Sequence, residues 1–174
     1  KKNGWSLQRA TLEQGNAILA EIDKGLQAGA PGIGTTLGYM REGVSSREMF
    51  EVQKVGAQYG RLTAAHTRYT LGADTPENNG AQELIANALA LGAPAIVQHF
   101  NNPGWRLTHE LLLRLQDKGF NIWGEIYPYA AGSTTLNATF LRPESWIDDL
   151  GNRYEDTLQD PATGDFYTLE TYKA

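Results

Sequence analysis

The stretch RLTAAHTRYT, residues 61–70, decides the fold class. It follows a glycine and begins with a largely apolar run that ends on His66. The stretch APAIVQHF, residues 93–100, repeats the pattern and ends on His99, 33 positions after the first histidine. Short apolar runs bounded by Gly and Pro are typical of strands in a parallel sheet. The repeat therefore predicts two neighbouring strands whose carboxyl ends each carry a histidine.

Helix-like segments alternate with the strand-like ones. Apolar residues at helical spacing predict helices over 10–29, 45–60, 75–92 and 107–119, each ending at a glycine. Ser45 and Glu48 fit a capping box at the start of the second helix, and Thr108 is the expected N-cap of the fourth. Near the end of the chain, Thr168 is the expected cap of a short further helix.

The predicted strand starts near Gly32, Arg61, Pro94 and Phe120 are 26 to 33 residues apart. A (β/α)₈ barrel has roughly 250 residues over eight units, or about 31 per unit. We therefore expect an α/β fold, a partial TIM barrel of about four βα units. A doubly wound sheet has a similar period and stays open as an alternative. No phosphate-binding GxGxxG or Walker motif follows a strand, and GIGTTLG has the wrong glycine spacing.

The last segment, residues 143–174, differs in charge from the rest. It carries eight acidic and two basic residues, whereas the whole chain has a net charge of −5. We expect two domains: a partial hydrolase barrel over 1–142 and an acidic lid or insertion segment over 143–174. Four units leave two open parallel edges, so the chain is expected to be an internal piece of a longer barrel.

The composition excludes several classes of function. A sequence pI near 5.2 and the absence of a basic patch argue against nucleic-acid binding. No apolar run approaches the ~18 residues of a membrane span. The chain has no cysteine, so it has no disulfide and no thiolate ligand. The redox compartment and the localisation stay open, and targeting cannot be judged because the chain starts at Lys1.

His66 and His99 are the candidate metal ligands. The carboxyl ends of the strands form the active face of a barrel, and neighbouring strands lie ~4.8 Å apart, so two imidazoles can share one ion. Two hydrogen-bonded interior histidines are the alternative. A catalytic zinc needs at least three protein ligands. Glu125 is either a further ligand or a structural acceptor, and His109 is expected on the surface.

The stretch EIYPYAAGSTTL, residues 125–136, is rich in groups that could bind a substrate. Its tyrosines and hydroxyls could contact a carboxylate or an amide oxygen, or could simply form a rigid, packed turn. Arg68 could pair with an anionic substrate or with a structural carboxylate. No GxSxG elbow is present, so a serine nucleophile is not expected.

Four stretches together resemble a known family. GAPGIGTTLGYM (29–40), YGRLTAAHTRY (59–69), AIVQHFNNPGW (95–105) and EIYPYAAGSTTL (125–136) resemble, in that order, four consecutive blocks of one enzyme group. The group is the D-aminoacylase, or N-acyl-D-amino-acid deacylase, branch of the amidohydrolase superfamily. The resemblance covers roughly residues 28–142. It implies a metal-dependent (β/α)₈ barrel that hydrolyses the amide bond of N-acyl-D-amino acids with metal-activated water.

The resemblance also implies roles for single residues. His66 matches the metal ligand that ends strand five of the family barrel, and His99 matches the ligand that ends strand six. Tyr127 and Ser133 match positions that contact the substrate carboxylate. Asn101 stands where the family usually has a lysine, which affects substrate preference. The implied cofactor is zinc or another divalent metal.

Several family parts are missing from this sequence. It has no His-x-His of strand one, no bridging cysteine and no aspartate of strand eight, so no catalytic base is matched. We expect strands four to seven of an amidohydrolase plus the start of its lid, inactive alone and completed by the remaining barrel segment or a second copy. A non-catalytic half-barrel for binding or assembly, and a cyclic amidase or dihydroorotase-type hydrolase, are the alternatives.

Overall fold

A computed structural model describes residues 7–40, 43–68, 80–100 and 105–174 of the chain. The chain divides into two compact units, Lys1–Pro128 and Tyr129–Ala174. The division predicted at residue 142 came from the acidic composition of the tail and stays a prediction about lid and barrel.

Helices and strands alternate through the first unit. They are α1 (Leu12–Gln27), β1 (Gly32–Thr35), a 3₁₀ turn (Leu37–Tyr39), α2 (Ser46–Gln58), β2 (Leu62–His66), α3 (Gly80–Leu91), β3 (Ala95–Gln98), α4 (Trp105–Asp117) and β4 (Ile122–Gly124). None of the helices in the described ranges is long and apolar enough to cross a bilayer.

The four strands form one parallel sheet in the order β1-β2-β3-β4. Each strand pairs with the strand that follows it in the sequence. Helices α2, α3 and α4 are the segments that connect successive strands. In a (β/α)₈ barrel, strands that are consecutive in the sequence are also adjacent in the sheet. In a doubly wound sheet, the strand order reverses at a switch point. The predicted partial barrel of four βα units is confirmed.

The two faces of the sheet differ in burial. Side chains alternate between the faces along each strand. Thr63, Ala65, Ala95, Val97 and Ile122 form the buried face, where the helices supply Leu84, Ile85 and Leu112. Ala64, Ile96 and Trp123 are cross-strand partners on the opposite face, which we call the inner row. Trp123 is 56% exposed, so the inner row is much less covered.

The ends of the helices follow the local sequence signals. The Ser45 hydroxyl accepts the N–H of Glu48 at 3.1 Å, as its capping position predicts. All four predicted glycine stops, at positions 29, 60, 92 and 119, have positive φ. Only glycine adopts that conformation routinely, so these residues end the helices cleanly.

One predicted helix start is wrong. Thr108 is not the N-cap of α4, because the helix already includes Trp105. Thr108 is buried and lies one turn before Leu112 on the same helix face. A helix pattern alone could not distinguish a capping threonine from a threonine that faces the core.

The second unit contains short helices. They are a 3₁₀ turn (Thr139–Leu141), a π-helical turn (Glu144–Asp149), α5 (Tyr154–Thr157) and α6 (Leu169–Lys173). The hydroxyl of the buried Tyr154 donates to the carbonyl of Leu141, and its ring stacks on Tyr172 with centroids 4.5 Å apart. Thr168 forms a capping box with Thr171, which confirms the predicted cap.

Candidate metal site

His66 is the last residue of β2 and lies on the same sheet face as the inner row. It is 9% exposed, and its register partner on β3 is Gln98. Gly38, in the turn after β1, gives the imidazole its space, because a Cβ there would lie 2.6 Å from His66 Nε2. Sequence reasoning missed this role of Gly38, although the glycine-rich stretch GIGTTLG was its signal.

The surroundings of His66 favour a neutral imidazole. Burial lowers the pKa of His66 from its usual value of 6.5, and the nearby His99 lowers it further. A histidine must be deprotonated to bind a metal ion. The protein therefore holds His66 in the form that a ligand needs.

His99 directly follows β3 in a left-handed backbone conformation. Its φ is +51°, the one positive value outside glycine among the described residues. Glu125, just after β4, accepts the His99 main-chain N–H on Oε2 at 3.0 Å. Residues in this region of φ are uncommon and cluster at functional sites.

The two predicted histidines come together. The ring centroids of His66 and His99 lie 5.3 Å apart in an edge-to-face arrangement. The Tyr127 ring stands edge-on to His99 at 6.1 Å. The carboxyl ends of β2, β3 and β4 thus gather three of the residues that the sequence singled out.

The ring nitrogens of His66 and His99 are of the type that binds a metal ion, and they would form part of its set of ligands. His99 Nδ1 is buried, and Glu125 Oε2 lies 2.8 Å from it without forming a hydrogen bond to it. A buried ring nitrogen that makes no hydrogen bond is costly, and a bound ligand would supply the missing contact. Across the described residues no three His, Asp or Glu are arranged to hold one ion. Two imidazoles thus meet at this edge of the sheet, and their role as metal ligands stays a prediction. Glu125 accepts the His99 main-chain N–H, which is the structural role that the sequence allowed.

Arg68 has protein partners near this site. Its Nε donates to Glu83 Oε2 at 2.7 Å, and its Nη2 donates to the Val44 carbonyl at 2.7 Å. Both side chains of the ion pair are largely buried. The structural pairing that the sequence allowed is thus present, and a contact between Arg68 and a substrate stays a prediction.

Ser133, Asn101 and His109 are the remaining residues that the sequence singled out. Ser133 is exposed and belongs to the second unit, and its role toward a substrate stays a prediction. Asn101 lies outside the described residues. His109 is exposed on α4 and stacks on Phe100 with centroids 6.1 Å apart, as expected of a surface residue.

Comparison with solved structures places the fold among amidohydrolase barrels. The N-acyl-D-glutamate deacylase from Bordetella bronchiseptica, complexed with zinc and a phosphonate inhibitor, matches with a TM-score of 0.63 and 25% identity over 75% of this chain. A D-aminoacylase described as defining a novel subset of amidohydrolases matches with a TM-score of 0.62 and 26% identity over 75% of this chain. The structural resemblance to D-aminoacylases is thereby confirmed.

More distant structures share the fold alone. The L-hydantoinase from Arthrobacter aurescens matches 84% of this chain with a TM-score of 0.52 and 22% identity. This chain spans 28% of the length of each of the two D-amino-acid deacylases and 36% of the hydantoinase. Neither a protein-family model nor a curated protein matches the chain.

Proposed function

We propose that this chain supplies part of the active face of a metal-dependent amidohydrolase. The observation that carries the proposal is the pair formed by His66 and His99, whose rings meet at the ends of adjacent parallel strands. The solved deacylases support the reaction class, since they are enzymes of amide hydrolysis with the same barrel fold. Hydrolysis of the amide bond of N-acyl-D-amino acids is the specific activity we propose.

His66 and His99 are the proposed ligands of zinc or another divalent metal. When bound, the metal supplies Lewis-acid chemistry toward the amide carbonyl and activates water. The protein's own part is to keep His66 neutral by burial and to orient His99 through its turn. A D-aminoacylase that is similar to this chain has a binuclear metal centre, and this supports the proposal of a divalent metal.

Substrate binding is proposed at the same edge of the sheet. Tyr127 is half-buried beside His99, and its hydroxyl is suited to a substrate carboxylate. Ser133 and Asn101 are proposed with it because of their matching positions in the family. Arg68 is the weakest member of the set, since Glu83 and the Val44 carbonyl already occupy its guanidinium.

This chain supplies two of the proposed metal ligands and no residue that matches the family's catalytic base. A catalytic zinc site takes at least three protein ligands, so further strands must contribute. We propose that the remaining barrel segment, or a second copy of this chain, supplies them. The small-molecule substrate then binds to the completed barrel, and the 174-residue chain by itself is inactive or nearly so.

The metal site is tested by zinc stoichiometry and by thermal unfolding with and without a chelator. We expect bound zinc to raise the melting temperature, because a ligand that binds only the folded state stabilises it. His66→Ala and His99→Ala should each lower the bound zinc and remove the chelator-dependent shift. His109→Ala is the matched control, since that histidine is exposed on α4. Equal zinc content in all four proteins would contradict the assignment.

The reaction is tested in the full-length protein that carries this sequence. We expect turnover of N-acetyl-D-amino acids and its loss in the His66→Ala and His99→Ala variants. Turnover of cyclic imides instead would favour the cyclic amidase alternative, which the hydantoinase fold allows. If the complete gene product lacks the other strands and turns over neither class, the non-catalytic binding module gains support.

A further inference from the structure

A bulge interrupts the pairing of β3 with β4 at His99. In a regular parallel ladder, the residue opposite Gln98 donates to Val97 and accepts from His99. Glu125 does donate to the Val97 carbonyl, at 2.8 Å, but its own carbonyl accepts from Phe100 at 3.0 Å. One extra residue has therefore been inserted, and the N–H of His99 is left out of the ladder.

The Glu125 side chain satisfies the N–H that the ladder omits. Its Oε2 accepts the His99 N–H at 3.0 Å, while its main-chain carbonyl accepts the next N–H along the chain. A single residue thus holds both N–H groups of the bulge. A main-chain N–H without a partner is costly in a folded protein, and the carboxylate removes that cost here.

The bulge decides the direction of two aromatic side chains. Phe100 turns toward the helices and packs on the core, where a Cβ at Gly124 would lie 2.5 Å from its ring. The His99 ring instead lies beside His66, with the ring centroids 5.3 Å apart. Without the extra residue, alternation along the strand would send His99 toward the helices, because Val97 already points there.

We propose that Glu125 is the positioning residue of His99. Its carboxylate holds the left-handed bulge by accepting the main-chain N–H, and this aims the imidazole toward His66. Glu125 Oε2 lies 3.0 Å from the His99 main-chain nitrogen and 2.8 Å from its Nδ1, so the carboxylate contacts both the backbone and the ring of the residue that it positions. This inference rests on the proposed metal-binding role of His99.

The test compares Glu125→Ala and Glu125→Gln with a matched pair of controls, Glu110→Ala and Glu110→Gln. Glu110 is an exposed carboxylate that pairs with Arg114 on α4. Two quantities are measured: hydrogen exchange of the His99 amide by NMR in chelator-treated protein, and zinc affinity by competition with a chromophoric chelator. The first measurement needs no metal, so it is independent of the proposed function.

We expect Glu125→Ala to accelerate exchange of the His99 amide at least tenfold and to weaken zinc binding about 10- to 100-fold, as for other supports of metal ligands. Glu125→Gln keeps an oxygen acceptor and should restore most of the amide protection and the affinity. The Glu110 variants should match the wild type. In Glu125→Ala, an exchange rate or a zinc affinity within twofold of the wild type would overturn the proposal. If the wild type binds no zinc, the metal site fails and the exchange measurement alone decides the role of Glu125.

Discussion

His99 is the residue at which local backbone conformation and site geometry meet. Its backbone φ of +51° lies in the left-handed region, which residues with a Cβ rarely adopt. The surrounding contacts, above all the Glu125 carboxylate, hold it there. A residue kept in an unfavourable conformation next to another histidine indicates that the direction of its side chain matters more than local stability.

Substitutions at position 99 should separate backbone strain from side-chain function. In metal-free protein we expect His99→Gly to be more stable than His99→Ala by about 1 kcal/mol, because glycine adopts positive φ without a Cβ clash. The Glu125 bond to the main-chain N–H is available in both variants. The measurement is urea unfolding in the presence of a chelator. An alanine variant as stable as the glycine variant would show that the bulge carries no strain.

At the scale of elements, helix α3 contributes buried residues to the core of the first unit. Leu84 on this helix is fully buried in the core cluster, and its carbonyl accepts the side-chain amide of Gln53 on α2 at 3.2 Å. Gln53 in turn accepts from Asn87 at 2.8 Å, so polar groups between the two helices are paired. Leu84 shares the core cluster with Ala65 on β2 and Val97 on β3, so α3 packs on the strands that lead to the two histidines.

The core position of Leu84 predicts a large effect of truncation. We expect Leu84→Ala to lower the free energy of unfolding by about 2 to 5 kcal/mol, through lost burial and a residual cavity. Leu113 on α4 is 49% exposed and gives the matched control. Leu113→Ala should change the stability by about 0.5 kcal/mol or less. Similar losses in the two variants by urea denaturation would contradict the described core.

At the scale of the whole molecule, the sheet is covered unequally. Parallel sheets are normally buried on both faces, yet the inner row ends in Trp123, which is 56% exposed. In a closed (β/α)₈ barrel the inward layers are filled by residues from all eight strands. The four described strands supply only part of those layers, which accounts for the exposure of Trp123.

We expect the isolated chain to self-associate through this face as its concentration rises. Trp123→Glu places a charge on the inner row and should weaken the association about tenfold, corresponding to roughly 1.4 kcal/mol. Trp105→Glu on α4 is the control, since that tryptophan is 42% exposed on another element. Sedimentation velocity over a range of concentrations is the measurement. A sedimentation coefficient that stays constant in the wild type would contradict the expectation.

Much of the fold could be predicted because its signals are local. Periodic apolar residues, the caps Ser45 and Thr168 and the glycine stops act over a few residues, so they can be recognised without the tertiary structure. Thr108 shows the limit of such signals, since a capping residue and a core residue can share one sequence pattern. The same alternation predicted a parallel sheet but not its strand order, and the observed order β1-β2-β3-β4 decided between a barrel and a doubly wound sheet.

The sequence by itself determined the alternation of strands and helices, and it identified His66 and His99 at two strand ends. Only the tertiary structure decided how those ends are arranged. The bulge at His99, its support by Glu125 and the pairing of Arg68 with Glu83 join residues 15 to 26 positions apart. The physical reason is that side-chain direction beyond a strand end depends on contacts between elements, and such contacts leave no period or spacing in the sequence.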